Sequence, residues 1–344
     1  MKTTIKEVAL KANVSIATVS LVLNKNTRIS PQTRETVLKA ARKLNYYPSR
    51  SARALVSKQT GNLGFVLTKD HFLRTEPFYT KIFLGTEIEA NNKDYYVFLT
   101  VMNSVYNESD SLPRFVLEKN IDGIIIAGKV ADAFLVKLKK YNIPIVLIDY
   151  IPKKGDYSIV IMDNIQGSIS AVEYFIKLGH KNIAFIAGDI SHPSISERLR
   201  GYKLALKRNK IMLNNSLILT KYSSPNRTNG YKAAEHLLSI SKKISAVFCC
   251  NDAMALGLID CLKDKKPSLL KKISIIGFDD IEEDTRVSPT LSTVKVNKID
   301  LGVEAVKLLV NNIKGKNITN KKIIIPTELI LRESTRNNGK YNLN

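Results

Sequence analysis

TIKEVALKANVSIATVSLVLN, residues 4–24, decides how the chain is read. Val8, Ala9 and Ala12 recur at helical spacing, Asn13-Val14-Ser15 interrupts, and Val19, Val22 and Leu23 resume the period. That pattern predicts two short helices joined by a tight turn. Ala9 and Ala12 are small enough for the second helix to cross closely, Asn13 tolerates the left-handed backbone of the turn, and Ser15 can cap the second helix. A third helix is predicted from Ser30-Pro31, a cap followed by the residue best suited to a first helical position, burying Val37, Ala40, Ala41 and Leu44. The same period that buries Val19, Val22 and Leu23 exposes Thr18, Ser20 and Asn24, whose hydroxyl and amide groups suit phosphate oxygens.

The charge distribution points the same way. The chain of 344 residues carries a formal net charge of +22. Residues 1–60 hold twelve Lys and Arg against Glu7 and Glu35, so the basic density is N-terminal and predicts a polyanionic partner for that part. Elsewhere the excess lysines fall on solvated helix faces. With 44% apolar and 24% charged residues the composition is globular, and the length suits two or three compact units. No run approaches the roughly 20 apolar residues of a membrane span, and the first residues lack the apolar core of an export signal, so a cytoplasmic protein without membrane contact is expected. Cys249, Cys250 and Cys261 form no disulfide framework, and His71, His180, His192 and His236 show no metal-ligand spacing. Neither a metal nor a cofactor is expected.

TIKEVALKANVSIATVSLVLN followed by RISPQTRETVLKAARKLNYYPS closely resembles the headpiece of the LacI/GalR family. The resemblance places a recognition helix on Val14 to Asn24 and carries base-reading positions onto Ile16, Ala17 and Leu21. It implies phosphate contacts at Thr4, Ser15, Thr18, Ser20, Asn24, Ser30 and Thr33. Arg28 stands where relatives reach DNA, and reads either as a base or phosphate contact or as a surface arginine. Leu21 replaces an arginine common in many members, and Ile16-Ala17 offer no hydrogen-bonding heads, so readout is expected to use apolar contacts such as thymine methyl groups. After Pro48, SRSARALVSKQTG has helical potential but too little apolar surface to stay folded alone. Ala52, Leu55 and Val56 form a short stripe flanked by Arg50 and Arg53. It resembles the family's hinge helix, which implies Arg53 at the DNA and Leu55 as the wedge that opens the minor groove.

Beyond Gly61, apolar runs (GNLGFVLT, YYVFLTV, IDGIIIAG, IPIVLID, then NIAFIAG, AVFCCND, ISIIGFDD) alternate with helical patterns, predicting parallel sheets covered by helices. About nine strands exceed one compact sheet, so two doubly wound lobes are expected, with ligand at the strand carboxyl ends. The polar residues there are Asp149, Asp163-Asn164, Asn251-Asp252 and Asp279-Asp280. For any one of them a helix cap or turn is the plainer reading; four converging ends favour a ligand. Asp252 is read as the cap of the following helix and Asp280 as a turn residue.

The LacI/GalR resemblance continues through these motifs to E-R-L-R-G-Y, N-D-A-M-A-L-G, I-I-G-F-D-D and S-P-T-L-S-T-V. It implies an all-α headpiece (1–47), a hinge (48–60) and an α/β periplasmic-binding-protein-like domain (61–340). Its lobes would be 61–162 with 293–322, and 163–292 with 323–340, linked by three crossovers. Effector contacts are implied at Asp149, Ser194, Arg198, Asn251 and Asp279, while Phe78 or Tyr79 reads as a ring-stacking aromatic or a core residue. The expected partners are double-stranded, pseudo-palindromic operator DNA, a small effector of carbohydrate type and a second copy of the chain, as a homodimer, because the polar tail after Ser334 lacks leucine heptads. The expected role is repression. Two other readings compete: an exported solute-binding protein, disfavoured by the headpiece, and an enzyme, disfavoured by the absence of a phosphate loop or an activated nucleophile.

Overall fold

A computed structural model describes residues 3–23, 28–46, 59–69, 78–103, 105–107, 109–240, 244–315 and 320–336. Two compact units divide at Gly61. In the first, α1 (Ile5–Ala12), α2 (Ile16–Leu23) and α3 (Pro31–Lys43) close around Val8, Val19 and Val37, with Ala9, Ala12, Ala40 and Ala41 at the crossings. Asn13 ends α1 in the left-handed region at φ 51°, and Asn45 repeats the device after α3 at φ 48°. Leu44 is only half-buried.

The second unit contains two six-stranded sheets. The first comprises β1 (Asn62–Thr68), β2 (Tyr96–Met102), β3 (Gly123–Ala127), β4 (Ile145–Ile148), β5 (Ser158–Met162) and β11 (Lys322–Ile325), ordered β11-β5-β4-β3-β1-β2 and parallel throughout. The second comprises β6 (Ile183–Ile186), β7 (Ile218–Leu219), β8 (Ala246–Cys249), β9 (Ser274–Asp279), β10 (Ser292–Val296) and β12 (Thr327–Ile330), ordered β12-β10-β9-β8-β6-β7, antiparallel only at β12. Twelve strands among the described residues exceed the nine expected. The two-residue β7 and the short, partly exposed β11 and β12 carry too few apolar residues to register as periodic runs.

Central strands are apolar on both sides because helices cover both faces. In β3, Ile124 and Ile126 pack with Phe134 and Leu138 of α6 (Asp132–Lys139), in the same cluster as Val116 of α5 (Arg114–Leu117), while Ile125 joins Ile82 of α4 (Phe78–Asn92) and Leu309 of α12 (Lys298–Lys314). The pair α4 and α12 touches backbone to backbone: a Cβ on Gly302 would lie 2.1 Å from the Ile82 carbonyl oxygen. The second sheet is covered by α7 (Asn164–Lys177) and α8 (Pro193–Arg208), which pack together, and by α9 (Arg227–Ile240) and α10 (Asp252–Lys265), which also pair; α11 (Pro267–Leu270) comes after α10.

The chain passes between sheets three times, at Asp163, Asn297 and Pro326. The boundaries expected after 292 and 322 therefore fall four and three residues early, since β10 runs to Val296 and β11 to Ile325. Strand pairing carries β10 on to Val296 until Asn297 caps α12, its side chain accepting from the Asp300 amide at 3.3 Å. Pro326, lacking an amide hydrogen, separates β11 from β12. Among the described residues no helix is long and apolar enough to cross a membrane. Asn24, the hinge residues Arg53 and Leu55, and the tail after Arg336 lie outside the described residues.

Candidate functional site

The two sheets present their strand carboxyl ends to one another, and an aspartate closes each side. Asp149 follows β4 at φ 56°, and Asp279 ends β9 at φ 120° with Asp280 next at φ 56°. Such backbone is rare outside glycine and is held only where surroundings enforce it, which is common at binding sites. Asp149 accepts hydrogen bonds from the Tyr79 hydroxyl (2.8 Å) and from Ser194 Oγ (2.5 Å), the latter contributed by the opposite lobe at the start of α8. Arg198, one turn further along α8 and buried, donates from Nε to Asn164 Oδ1 (2.9 Å) and from Nη1 to the Cys250 carbonyl (2.5 Å). Its Nη2 faces Asp279 Oδ1 at 3.3 Å, and its guanidinium lies 3.7 Å from the Phe278 ring centroid.

All six residues expected at the effector site, Phe78, Asp149, Ser194, Arg198, Asn251 and Asp279, line this one cavity, together with Tyr79, His192 and Cys250. It measures about 40 Å³. That suits a water or two and is far below the roughly 300 Å³ of a small-molecule pocket, so the lobes stand closed on it. Lys129 of the first lobe donates to Ser191 Oγ of the second at 2.8 Å, with Asp189 beside it at 3.8 Å.

Burial pushes the Asp279 carboxyl up to about 7, against the pull of the Arg198 guanidinium. Lys298, at the start of α12, reaches across from the first lobe. Its ammonium donates to the Asp279 and Asp280 carbonyls and stands 5.8 Å from the Phe78 ring centroid. Burial lowers its pKa. Asn251, not Asp252, caps α10: its side chain accepts from the Met254 amide at 3.0 Å and donates to the Pro225 carbonyl at 2.8 Å. Asp252 lies one position inside the helix, fully buried, accepting from Thr293 Oγ1 (2.6 Å) and the Ile281 amide (3.2 Å). Asp284 accepts from the same amide, and burial beside Asp252 pushes it up to about 10, so it keeps its proton at neutral pH. Asp280 makes an ion pair with Arg332 at 2.6 Å. Among the described residues no cluster of His, Cys, Asp and Glu could hold a metal ion.

The surface of the first unit is built differently. Hydroxyl residues close the amino ends of all three helices: the Thr4 amide and hydroxyl donate to Glu7 (2.6 and 3.1 Å), and Ser15 pairs with Thr18 (2.9 Å) and Ser30 with Thr33 (2.8 Å). Ser15 and Ser30 also accept the amides of Thr18 and Thr33 at 3.0 and 3.2 Å. Each Ser-Thr pair uses one hydroxyl hydrogen internally and keeps a second for another acceptor, at a helix end that attracts anions. Ile16, Ala17 and Leu21 are exposed on α2, Ser20 is half-buried, and Arg28 is exposed beyond it.

Residues 4–49 match the family described as bacterial regulatory proteins, lacI family, and residues 172–335 match a periplasmic binding protein-like domain. The chain is 30% identical to the HTH-type transcriptional repressor PurR of Mannheimia succiniciproducens, over 97% of this chain and 98% of that one. The chain belongs to the LacI family. Two solved structures share its architecture over 97% of its length. A lac repressor dimer bound to operator and the anti-inducer ONPF superimposes with a TM-score of 0.77 at 26% identity, covering 99% of that chain. The transcriptional regulator CelR in complex with cellobiose does so with 0.72 at 27%, covering all of that chain. Within the LacI family this chain is a transcription regulator with a DNA-binding headpiece and a ligand-binding-type domain, not an enzyme.

Sequence reasoning does not single out Lys298 or Lys129, nor Asn164 as the partner of Arg198. Asn164 and Arg198 are 34 positions apart, and Lys298 meets β9 only through a crossover. A lysine within a cap-like N-K-I-D segment signals nothing but helix start.

Proposed function

We propose that this LacI-family member is a repressor whose grip on a pseudo-palindromic operator is set by a small, uncharged polyhydroxyl effector of carbohydrate type bound between the lobes, acting as a homodimer in the cytoplasm. The observation that carries the effector half is the Arg198–Asp279 pair facing Asp149 across the cleft, both aspartates on strained backbone. Paired carboxylates accept from vicinal hydroxyls while the guanidinium donates to a ring or hydroxyl oxygen. Phe78, on the cavity wall, supplies an apolar face for the ring. Ligand entry breaks the Ser194–Asp149 bond and widens the cleft, changing the angle between lobes that the hinge senses. The cellobiose complex of CelR and the operator complex of the lac repressor support the two halves by likeness.

Leu84 and Ile88 of α4, with Phe98, Leu99 and Val101 of the edge strand β2, are exposed apolar residues of the first lobe. An uncovered apolar edge of this kind invites a second copy. At the operator, Thr4, Ser15, Thr18, Ser20, Asn24, Ser30, Thr33 and Arg53 hold phosphates, with Arg28 beside them. Paired Leu55 side chains wedge the centre of the site.

The test is a thermal-shift screen of the full chain against mono- and disaccharides, followed by operator binding with and without the hit. A true effector at 100 times its Kd adds about 2.7 kcal/mol of stability. No stabilisation by any sugar, or stabilisation without change in DNA affinity, overturns the effector reading. Leu55→Ala is expected to weaken specific binding much more than nonspecific binding; equal loss on both removes the wedge.

A further inference from the structure

Among the described residues α2 is the one headpiece helix without a charged residue, in a unit otherwise dense with Lys and Arg. Burial of Val19 and Val22 turns Ile16, Ala17 and Leu21 outward within an arc of roughly 140°. Ile16 is 45% and Leu21 39% exposed, so both lie outside the headpiece core. Ser15 and Thr18 are bonded to each other at the helix start, and Ser20, the hydroxyl that falls within this arc, is half-buried, so the exposed side chains of the arc among the described residues are hydrocarbon. The second helix of a helix-turn-helix lies in the major groove with its first turns toward base edges. In that groove the base edges are rows of hydrogen-bond donors and acceptors, and the one apolar feature is the methyl on C5 of thymine.

We propose that α2 reads pyrimidine C5-methyl groups through Ile16, Ala17 and Leu21, and that at these positions 5-methylcytosine paired with guanine is accepted in place of thymine paired with adenine. Hydrocarbon side chains cannot distinguish the exocyclic oxygen of thymine from the amine of cytosine by hydrogen bonding; they respond to the methyl that both bases share. Cytosine methylation inside a half-site therefore raises operator affinity. This rests on the reading of α2 as the major-groove helix.

The full-length protein is used to enrich duplexes from a random library. In the enriched half-site each thymine is then replaced singly by uracil, which removes only the methyl, and each thymine-adenine pair by cytosine-guanine with and without the C5 methyl. Failure to enrich any sequence, with equal binding to all duplexes, overturns the DNA-reading role itself. Given enrichment, uracil is expected to weaken binding about fourfold for each methyl contacted. The 5-methylcytosine duplex is expected to bind like thymine and the unmethylated one like uracil. Leu21→Ala and Ile16→Ala, both exposed changes that leave the helix intact, are expected to erase the methyl effect at one position each. Half-sites without thymine, indifference to uracil at every position, 5-methylcytosine no better than cytosine, or a methyl effect undiminished in both variants each overturn the proposal.

Discussion

The headpiece surface and the interlobe cleft solve the problem of recognition by opposite means. On the headpiece, apolar side chains are displayed on an uncharged helix, α2, and the hydroxyls at the helix starts are employed as caps. In the cleft the polar groups are buried and bonded to one another across the space between the lobes, with Asp149 and Asp279 on strained backbone. The first surface can lose a side chain with little effect on folding; the second cannot, because each of its groups is the partner that makes burial of another tolerable. A regulator needs both properties, a rigid reader and a responsive sensor.

The most severe way to break the contrast is Arg198→Ala. It leaves Asp279 buried without its countercharge and frees Asn164 and the Cys250 carbonyl, at a cost of about 3–5 kcal/mol. Thermal unfolding should show that loss together with an abolished effector response, while operator affinity at a temperature where the chain stays folded remains nearly unchanged. If the variant melts like the parent, the cleft is no more interdependent than the headpiece surface.

Protonation sharpens the same contrast more gently. The Asp279 carboxyl sits at about 7 in the folded chain against an ordinary 3.8, so the folded state holds a proton that the unfolded state has lost. Its contribution to stability is complete below about pH 4 and drains away as pH rises through 7. Asp279→Asn should flatten that part of the pH-stability curve relative to the parent; matching curves would assign the raised value to another group of the cluster.

The smallest expected effect lies on the headpiece. Ser15→Ala removes the cap of α2 and its hydroxyl pair with Thr18, for about 1 kcal/mol of local stability. Hydrogen exchange should quicken in α2 and operator affinity should fall modestly, with the sugar-induced thermal shift intact. A weakened shift would mean that the two recognition surfaces are not separable.

Legibility divides along the same line. Asn13, Ser15 and Ser30-Pro31 act on their immediate neighbours, so the headpiece helices and their caps can be read within a few positions of where they begin. Asp149, Asn251 and Asp279 are legible as cavity residues because each closes an apolar run, whereas Ser194 and Arg198 come from the family resemblance and Phe78 shares with Tyr79 an open choice between stacking and core. What cannot be read is which groups meet across the chain. Lys298 touches Asp279 and Asp280 only because α12 returns from the second sheet to the first, and Asn251 takes the cap from Asp252 because the Asp252 carboxylate is claimed by Thr293 and Ile281. The crossings at Asn297 and Pro326 depend on strand partners more than thirty residues away, and hydrophobic periodicity carries no record of them.

The Ser194–Asp149 bond has one further consequence. With Tyr79 on its other oxygen, Asp149 is occupied by the protein's own hydroxyls, two intramolecular stand-ins for the alcohol groups of a sugar. An effector bound as proposed competes with them, and its apparent affinity is its intrinsic affinity reduced by the fraction of molecules in which they have let go. The concentration at which such a regulator responds can then be retuned through the Ser194 or Tyr79 hydroxyl, by changing how readily Asp149 is released.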